Sequence, residues 1–403
     1  MKLPLGGGTH LTYCTNVHAG ETWPEVRANL ERYVLGVKSR VAPDRPFGVG
    51  LRLSALAAEA LEEPGETAKL RAFLDAHGLY VFTLNGFPYG PFHGTRVKED
   101  VYLPDWMDEA RLVYTDRLAR VLAALLPAEA GLEGSISTSP GAFKPRVRSD
   151  EDAERMAERM LRHLATLHRI RERTGRTVSL ALEPEPCCYL ETVAETVAFF
   201  ERFLFAPPGR ARLATLTGLS RSESDALVHH QLGVCFDACH MAVEFEEPAA
   251  ALRAFQASGI RIVKFQVSAG LRVVFDGSSK DLLDQLRPFA EGVYLHQVVE
   301  RCRGVFTRYV DLPDALAAAA AAATEPREWR IHFHVPLFLA RLGRFLNTQD
   351  DLRALLGILR HRSPSAHLEV ETYTWDVLPE EYRGDDIVTA VAREIEWVRD
   401  QLR

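Results

Sequence analysis

Little in this sequence points toward nucleic acid or a membrane. Basic residues are in deficit, 48 Lys and Arg against 55 Asp and Glu for a net charge of −7. The chain therefore lacks the basic face that replaces phosphate counterions. Long apolar runs are missing too: the blandest stretch, residues 316–323, is one leucine followed by alanines. That falls well short of the ~20 residues a membrane-spanning helix needs. The opening MKLPLGGGTHLTY carries one Lys and no apolar core of the kind a signal peptide has. Cysteines are few (Cys14, Cys187, Cys188, Cys235, Cys239, Cys302), and their irregular spacing is not a disulfide framework. A reducing, cytoplasmic setting is the expectation. Glycine and proline are not in excess, 27 and 22 of 403 residues, which excludes collagen-like and low-complexity architectures. With 47% apolar and 26% charged residues, intrinsic disorder is excluded as well.

What the sequence does contain is a regular alternation of β-rich runs and helical stretches. Strands are predicted at 11–16, 47–54, 79–85, 134–138, 177–183, 233–237, 260–268, 329–336 and 366–373, with helices such as 25–41, 151–173, 190–205 and 350–360 between them. Gly78, Gly175, Gly233 and Gly259 read as helix-ending residues, since glycine tolerates the left-handed conformation found there. Repeated βαβ units with no break in composition predict a parallel sheet closed into a (β/α)8 TIM barrel over 1–403. The rival dinucleotide-binding fold needs G-x-G-x-x-G opening a helix, which follows none of these strands; Gly6-Gly7-Gly8 precedes a strand and reads as a flexible lead-in. Nine strands overfill a barrel of eight. The surplus is placed at 269–328, as an insertion on the loop face that forms a lid or side wall.

In such a barrel the site lies at the carboxyl ends of the strands, and polar residues collect there. The fifth strand ends at Glu183, stiffened by Pro184 and Pro186; the sixth ends at Asp237, with His240 three residues on. IVKFQVSAG places Lys264, Gln266 and Ser268 on one face, RIHFHVP pairs His332 with His334, and HLEVETYTW pairs Glu369 with Glu371. Carboxylates in apolar strands are costly unless paired or metal-bound. Several at one end, with imidazoles, suit a divalent ion such as Mn2+, Mg2+ or Zn2+. Cys235, Cys239 and His240 resemble half a zinc site, without the second half. Each residue also has a plainer reading. Glu183 could pair with Arg52, Asp237 could cap the following helix, one of His332 and His334 could be a core histidine, and Glu369 could be an interior ion pair. Lys264 could neutralise Glu183 or Asp237 with no metal at all.

LALEPEP, GVCFDACH and LEVET resemble the strand-end motifs of the xylose-isomerase-like barrel superfamily, which includes sugar isomerases and epimerases, inosose dehydratases and endonuclease IV. Within it, THLTYCTNVHAGETW, LNGFPYGPFH, STSPGAFK, KFQVSAG and HFHVPLF are similar to the metabolite traffic protein EboE family, across essentially the whole chain. The resemblance implies a divalent ion held by Glu183, Asp237 and Glu371 from the fifth, sixth and eighth strands and an imidazole from the seventh. Here the sequence departs: Gln266, 29 residues after Asp237, is an amide, and His334, 37 residues before Glu371, is the imidazole at a comparable distance. Both stay candidates, with His334 favoured by its chemistry. His240 matches the D-x-x-H part of the motif, as a contact to substrate or to a second ion.

The expected chemistry is proton transfer at a carbon beside a polarised carbonyl of a sugar, polyol or related hydroxy-carbonyl metabolite, giving isomerisation or epimerisation. Glu183 and Glu371 are the candidate base and acid, and Lys264 or His18 would stabilise the enediolate oxygen. Asn85, Trp375 and Phe87 are candidate substrate contacts, though rim aromatics often only pack. A non-catalytic metabolite carrier using the same mouth is the first alternative. An endonuclease IV-like phosphodiesterase fits less well, given the net charge and the missing seventh-strand imidazole. A homo-oligomer is compatible with the sequence, which does not decide it.

Overall fold

A computed structural model of the chain describes all residues except 6–7, 95, 130, 277–279, 321–324 and 385, and the side chains of 280 and 320. Most of the expected Gly6-Gly7-Gly8 lead-in and the end of the alanine run lie outside the described residues.

Two sheets organise the fold. Seven strands, β1 (His10–Tyr13), β2 (Phe47–Arg52), β3 (Leu79–Asn85), β4 (Gly134–Thr138), β5 (Val178–Leu182), β6 (Leu232–Asp237) and β7 (Arg261–Val267), run parallel. They are followed in the chain by β8 (Gly270–Phe275), β9 (Val298–Cys302), β10 (Val305–Tyr309), β11 (Arg327–His334), β12 (Arg341–Leu342) and β13 (Phe345–Asn347), and then by β14 (His367–Val370). β14 is the eighth barrel strand, between β1 and β7, in the order β1-β14-β7-β6-β5-β4-β3-β2. A bridge between Cys14 and Gly50 joins β1 to β2. The result is a nearly closed (β/α)8 barrel, as the alternation predicted.

Local chemistry explains the helices between the strands. The longest, Asp150–Thr174, starts with a capping box of Ser149 and Asp152 and stops at Gly175 with φ 68°. Gly233 was expected to end a helix in the same way. It lies inside β6 instead, where a Cβ would come within 2.1 Å of the Arg261 carbonyl oxygen, so its role is close strand approach.

The ninth expected strand, 329–336, does not enter the barrel. As β11 it pairs antiparallel with β8 and β9 in a second sheet, of order β10-β9-β11-β8-β13-β12. That sheet leaves the carboxyl end of β7, occupies Gly270 to Asn347, and returns through the helix Gln349–His361 to β14. It therefore runs beyond the 269–328 segment assigned to an insertion and includes RIHFHVP. The β11–β8 register shifts between Ile331 and His334, and such an irregularity re-aims side chains. His332 and His334 stand at that point.

Candidate metal centre and barrel-mouth cavity

The carboxyl ends of the barrel strands surround a small cavity of about 50 Å³. Its polar lining includes Asn16, Asn85, Glu183, Glu185, His240, His332 and Glu371, and Phe87, Phe92, Val97, Val101, Tyr294 and Leu295 cover it. The cover joins the segment after β3 to the one before β9. Phe92, Val97 and Tyr294 form one small apolar cluster, and Tyr102, Cys188 and Leu295 form another.

Each polar group is positioned by its strand end. Glu183 directly follows β5, and its N–H donates to the Thr138 carbonyl at 3.1 Å. Asp237 closes β6 and caps the helix Ala238–Val243: Oδ1 accepts from the His240 N–H at 2.8 Å and from the Ser268 hydroxyl at 2.9 Å. The plain capping reading is thus correct for one oxygen, while Oδ2 is buried without a partner. Glu371 follows β14, and Asn16 and Asn85 both donate to its Oε1, at 2.8 and 3.0 Å. Glu185 accepts the Tyr102 hydroxyl at 2.6 Å. His334 donates from Nδ1 to the Glu371 carbonyl at 2.8 Å, leaving a buried Nε2 without a partner.

Among the described residues no Lys or Arg pairs with Glu183, Asp237 or Glu371. Burial, then Glu371 and Asp237, pushes the Glu183 carboxyl well above its usual range. Burial, then Asp237 and Glu369, does the same to Glu371. Burial lowers His334 to about 4 and pushes His332 well down, so neither imidazole supplies positive charge. Lys264 is paired elsewhere. Its ammonium lies 2.5 Å from Glu369 inside the barrel, both side chains fully buried. It does not line the cavity and makes no ion pair with Glu183 or Asp237, although its charge partly offsets the rise at Glu183 and Glu371. Ligand atoms of Glu183, Asp237 and His240, of Asp237, Cys239 and His334, and of His240, His332 and His334 lie within 4.8 Å of one another in each group. Oxygen and imidazole donors, two of them orphaned, around buried carboxylates with no paired Lys or Arg fit a divalent cation.

Other expected residues fall elsewhere. Gln266 stands in register with Asp237 and Glu369; its Oε1 accepts from the Cys235 thiol at 3.2 Å and its Nε2 is buried without a partner. His18 stacks on Tyr33, ring centroids 4.3 Å apart, and contacts the Tyr13 hydroxyl, away from the cavity lining. Trp375 is buried against Phe338 and does not line the cavity. Asn85 and Phe87 do line it. Arg52, the partner considered for Glu183, pairs with Glu21 at 3.0 Å and donates to the Gly20, Pro88 and Gly90 carbonyls. Asn16, Glu185, Tyr102, Gln297 and Tyr373 belong to the site and were not selected from sequence. Glu185 was visible in the LALEPEP motif; the others carry no periodic signal.

No protein-family model matches the chain, and no curated protein matches its sequence. Solved structures do. A xylose isomerase-like TIM barrel protein from Mycobacterium smegmatis, in complex with magnesium, aligns at a TM-score of 0.50 and 12% identity, over 99% of this chain and 98% of that one. The fold is that of the xylose isomerase-like barrels. Other structures of this type align at lower TM-scores: the IolI protein with a bound zinc atom (0.48, 12% identity, 98% of each chain) and the probable 3-DHS dehydratase AsbF from Bacillus anthracis (0.45, 13% identity, 96% of this chain and 97% of that one). No described helix is long and apolar enough to cross a membrane.

Proposed function

We propose that this protein is a divalent-metal-dependent isomerase- or epimerase-like protein acting on a sugar, polyol or related hydroxy-carbonyl metabolite. One observation carries the reading: Glu183, Asp237 and Glu371 stand buried at the barrel mouth with no Lys or Arg paired to them among the described residues, beside the orphaned His334 Nε2. These residues would hold the ion, with His334 as the nitrogen ligand in preference to Gln266, whose amide oxygen is engaged by Cys235. A divalent ion there supplies Lewis-acid polarisation of a carbonyl and compensation of developing negative charge.

The chain's own residues supply the rest. Glu183 and Glu371 both face the cavity, where they would exchange a proton with a carbon acid. Asn16 and Asn85 fix Glu371 through one oxygen and leave Oε2 outside that pair of hydrogen bonds. Glu185, held by Tyr102, offers an acceptor for substrate hydroxyls. Lys264 is withdrawn from this role by Glu369. The cavity holds only a few waters by volume, so a sugar enters only when the cover moves. Pro88, Val97 and Val101 separate it from an outer hollow of about 620 Å³, the natural approach.

A second reading, a metabolite carrier of the kind the metabolite-traffic resemblance implies, is favoured by the same closed cover. Incubation with hydroxy-carbonyl sugars in deuterated water, with Mn2+ or Zn2+, tests both. Metal-dependent deuterium incorporation that falls at least 100-fold in Glu183→Gln and Glu371→Gln supports the isomerase. Ligand binding without incorporation supports the carrier.

A further inference from the structure

The two sheets differ in how their edges end. The barrel closes on itself, since the bridge between Cys14 and Gly50 joins β1 to β2. The added sheet stays open, with β12 at one edge and β10 at the other. β12 is only two residues long, too short to template a partner. β10 has five residues, and Val305 to Arg308 are all exposed. It joins β9 through the two-residue turn Arg303-Gly304, with φ 49° and 80°, so Cys302 and Val305 form the hydrogen-bonded closing pair. From that register Val305, Thr307 and Tyr309 turn their N–H and C=O toward β9, and Phe306 and Arg308 turn theirs outward. Among the described residues no other strand or backbone group pairs with those outward groups.

Exposed edges are commonly guarded by a proline, a bulge or a projecting lysine. β10 has none of these. Its register with β9 is unbroken, and its one charge, Arg308, is turned onto the barrel, where Nε donates to Glu244 at 3.0 Å and lies 3.4 Å from Glu191. The edge is apolar as well. Val305 is 66% exposed, and with Phe306 and Val310 it makes three of the six large hydrophobic side chains exposed among the described residues. The edge also matches itself. A two-fold axis through Thr307 sets Phe306 of one copy opposite Arg308 of the other, in antiparallel hydrogen-bonded pairs. Phe306 then packs on the methylene stem of the other copy's Arg308, Val305 stands across from Tyr309, and Thr307 from Thr307. No like charges are opposed, and each Arg308 keeps its own two carboxylates.

We propose that two copies of this chain dimerise through β10, joining their added sheets into one antiparallel sheet across the two-fold axis. A five-residue edge is small beside the ~1,200–2,000 Å² of a standard interface, so the dimer is a reversible one with a dissociation constant on the order of micromolar. It requires neither metal nor catalysis at the barrel mouth.

The full-length protein is followed by sedimentation velocity over about 1–200 µM, a range that brackets such an affinity. The mass should rise from that of one chain to that of two. Phe306→Pro removes an outward N–H and no bond to β9, so the fold should stand and association should fall at least about tenfold. Thr307→Lys and Thr307→Glu each set like charges face to face across the axis and should weaken association at least about threefold, while an equimolar mixture of the two should recover the wild-type level or exceed it. If Phe306→Pro does not fold, the charge pair decides alone. A monomer at every concentration overturns the proposal, the result expected if a strand of a different protein covers this edge. So does a dimer that all three variants leave intact, the result expected if another face associates, and so does a mixture no tighter than its separate variants.

Discussion

The interior of the barrel holds polar groups at two depths, and they are treated differently. Deep inside, Lys264 and Glu369 close on each other at 2.5 Å, and His367 meets the Ser135 hydroxyl at 2.8 Å. At the mouth, Glu183 and Glu371 line the cavity with His240 and His332, while Asp237 and His334 are not part of its lining. Asp237 Oδ2 and His334 Nε2 make no hydrogen bond, and neither do the Glu369 oxygens, whose partner is the Lys264 charge. Both depths carry the desolvation cost of buried charge. The deep pair offsets it within the chain, whereas the mouth leaves it for something that binds. A polar core that is internally neutral is architecture; one that is not is a site.

The largest expected effect breaks the deep pair. Lys264→Met should destabilise the protein by about 3–5 kcal/mol in urea unfolding, because Glu369 is left buried and uncompensated. A loss below about 1 kcal/mol would erase the distinction between the depths. Gly50→Ala attacks the same pair sterically: the new Cβ would fall 2.0 Å from Glu369 Oε1 and 2.7 Å from the Tyr13 carbonyl. A cost of about 2–3 kcal/mol is expected from such overpacking, read as a lower melting temperature.

The mouth should respond with the opposite sign. In metal-free protein Glu183→Gln should stabilise by on the order of 1–2 kcal/mol, since it removes one of several mutually repelling buried carboxylates. With Mn2+ or Zn2+ present the wild type should overtake the variant. Thermal unfolding with and without metal checks this, and a variant less stable in both conditions would refute it. Glu394 is an intermediate case, with donors but no cation paired to it among the described residues. It accepts from the Thr372 hydroxyl at 2.7 Å and the Leu337 N–H at 3.1 Å, and burial raises it to about 7. Because the folded state holds the proton more tightly, its contribution is complete below the unfolded value of 4.5 and is lost as pH rises through 7. Glu394→Gln cannot ionise, so it should match the wild type near pH 4 and exceed it by up to about 3 kcal/mol at pH 8. Equal stabilities at both pH values would show that the donors fully compensate the charge.

The barrel strands were legible because buried parallel strands and amphipathic helices impose different apolar periods on the chain. Glu183 and Glu371 were legible because a carboxylate closing an apolar strand has no local reason to be there; Asp237 has one, as the cap of the helix that follows it. His332 and His334 were legible as a pair on one face, but not as members of a second sheet: antiparallel and parallel strands of this length carry the same pattern, and partner choice is non-local. Lys264 had several acidic partners available at equal sequence plausibility. Gly50 decides among them in space, by leaving room for Glu369 beside β2. His18 and Trp375 looked like rim residues, and tertiary packing turned both into supports.

The sequence by itself determined the barrel, the strand ends at which chemistry is placed, and the carboxylates that stand there, since all of these follow from local period and side-chain type. Only the tertiary structure decided which cation each carboxylate meets, which imidazoles converge, and that two of them arrive on an added sheet. Those outcomes depend on distances between segments far apart in the chain, such as the 92 residues between His240 and His332, which no local pattern encodes.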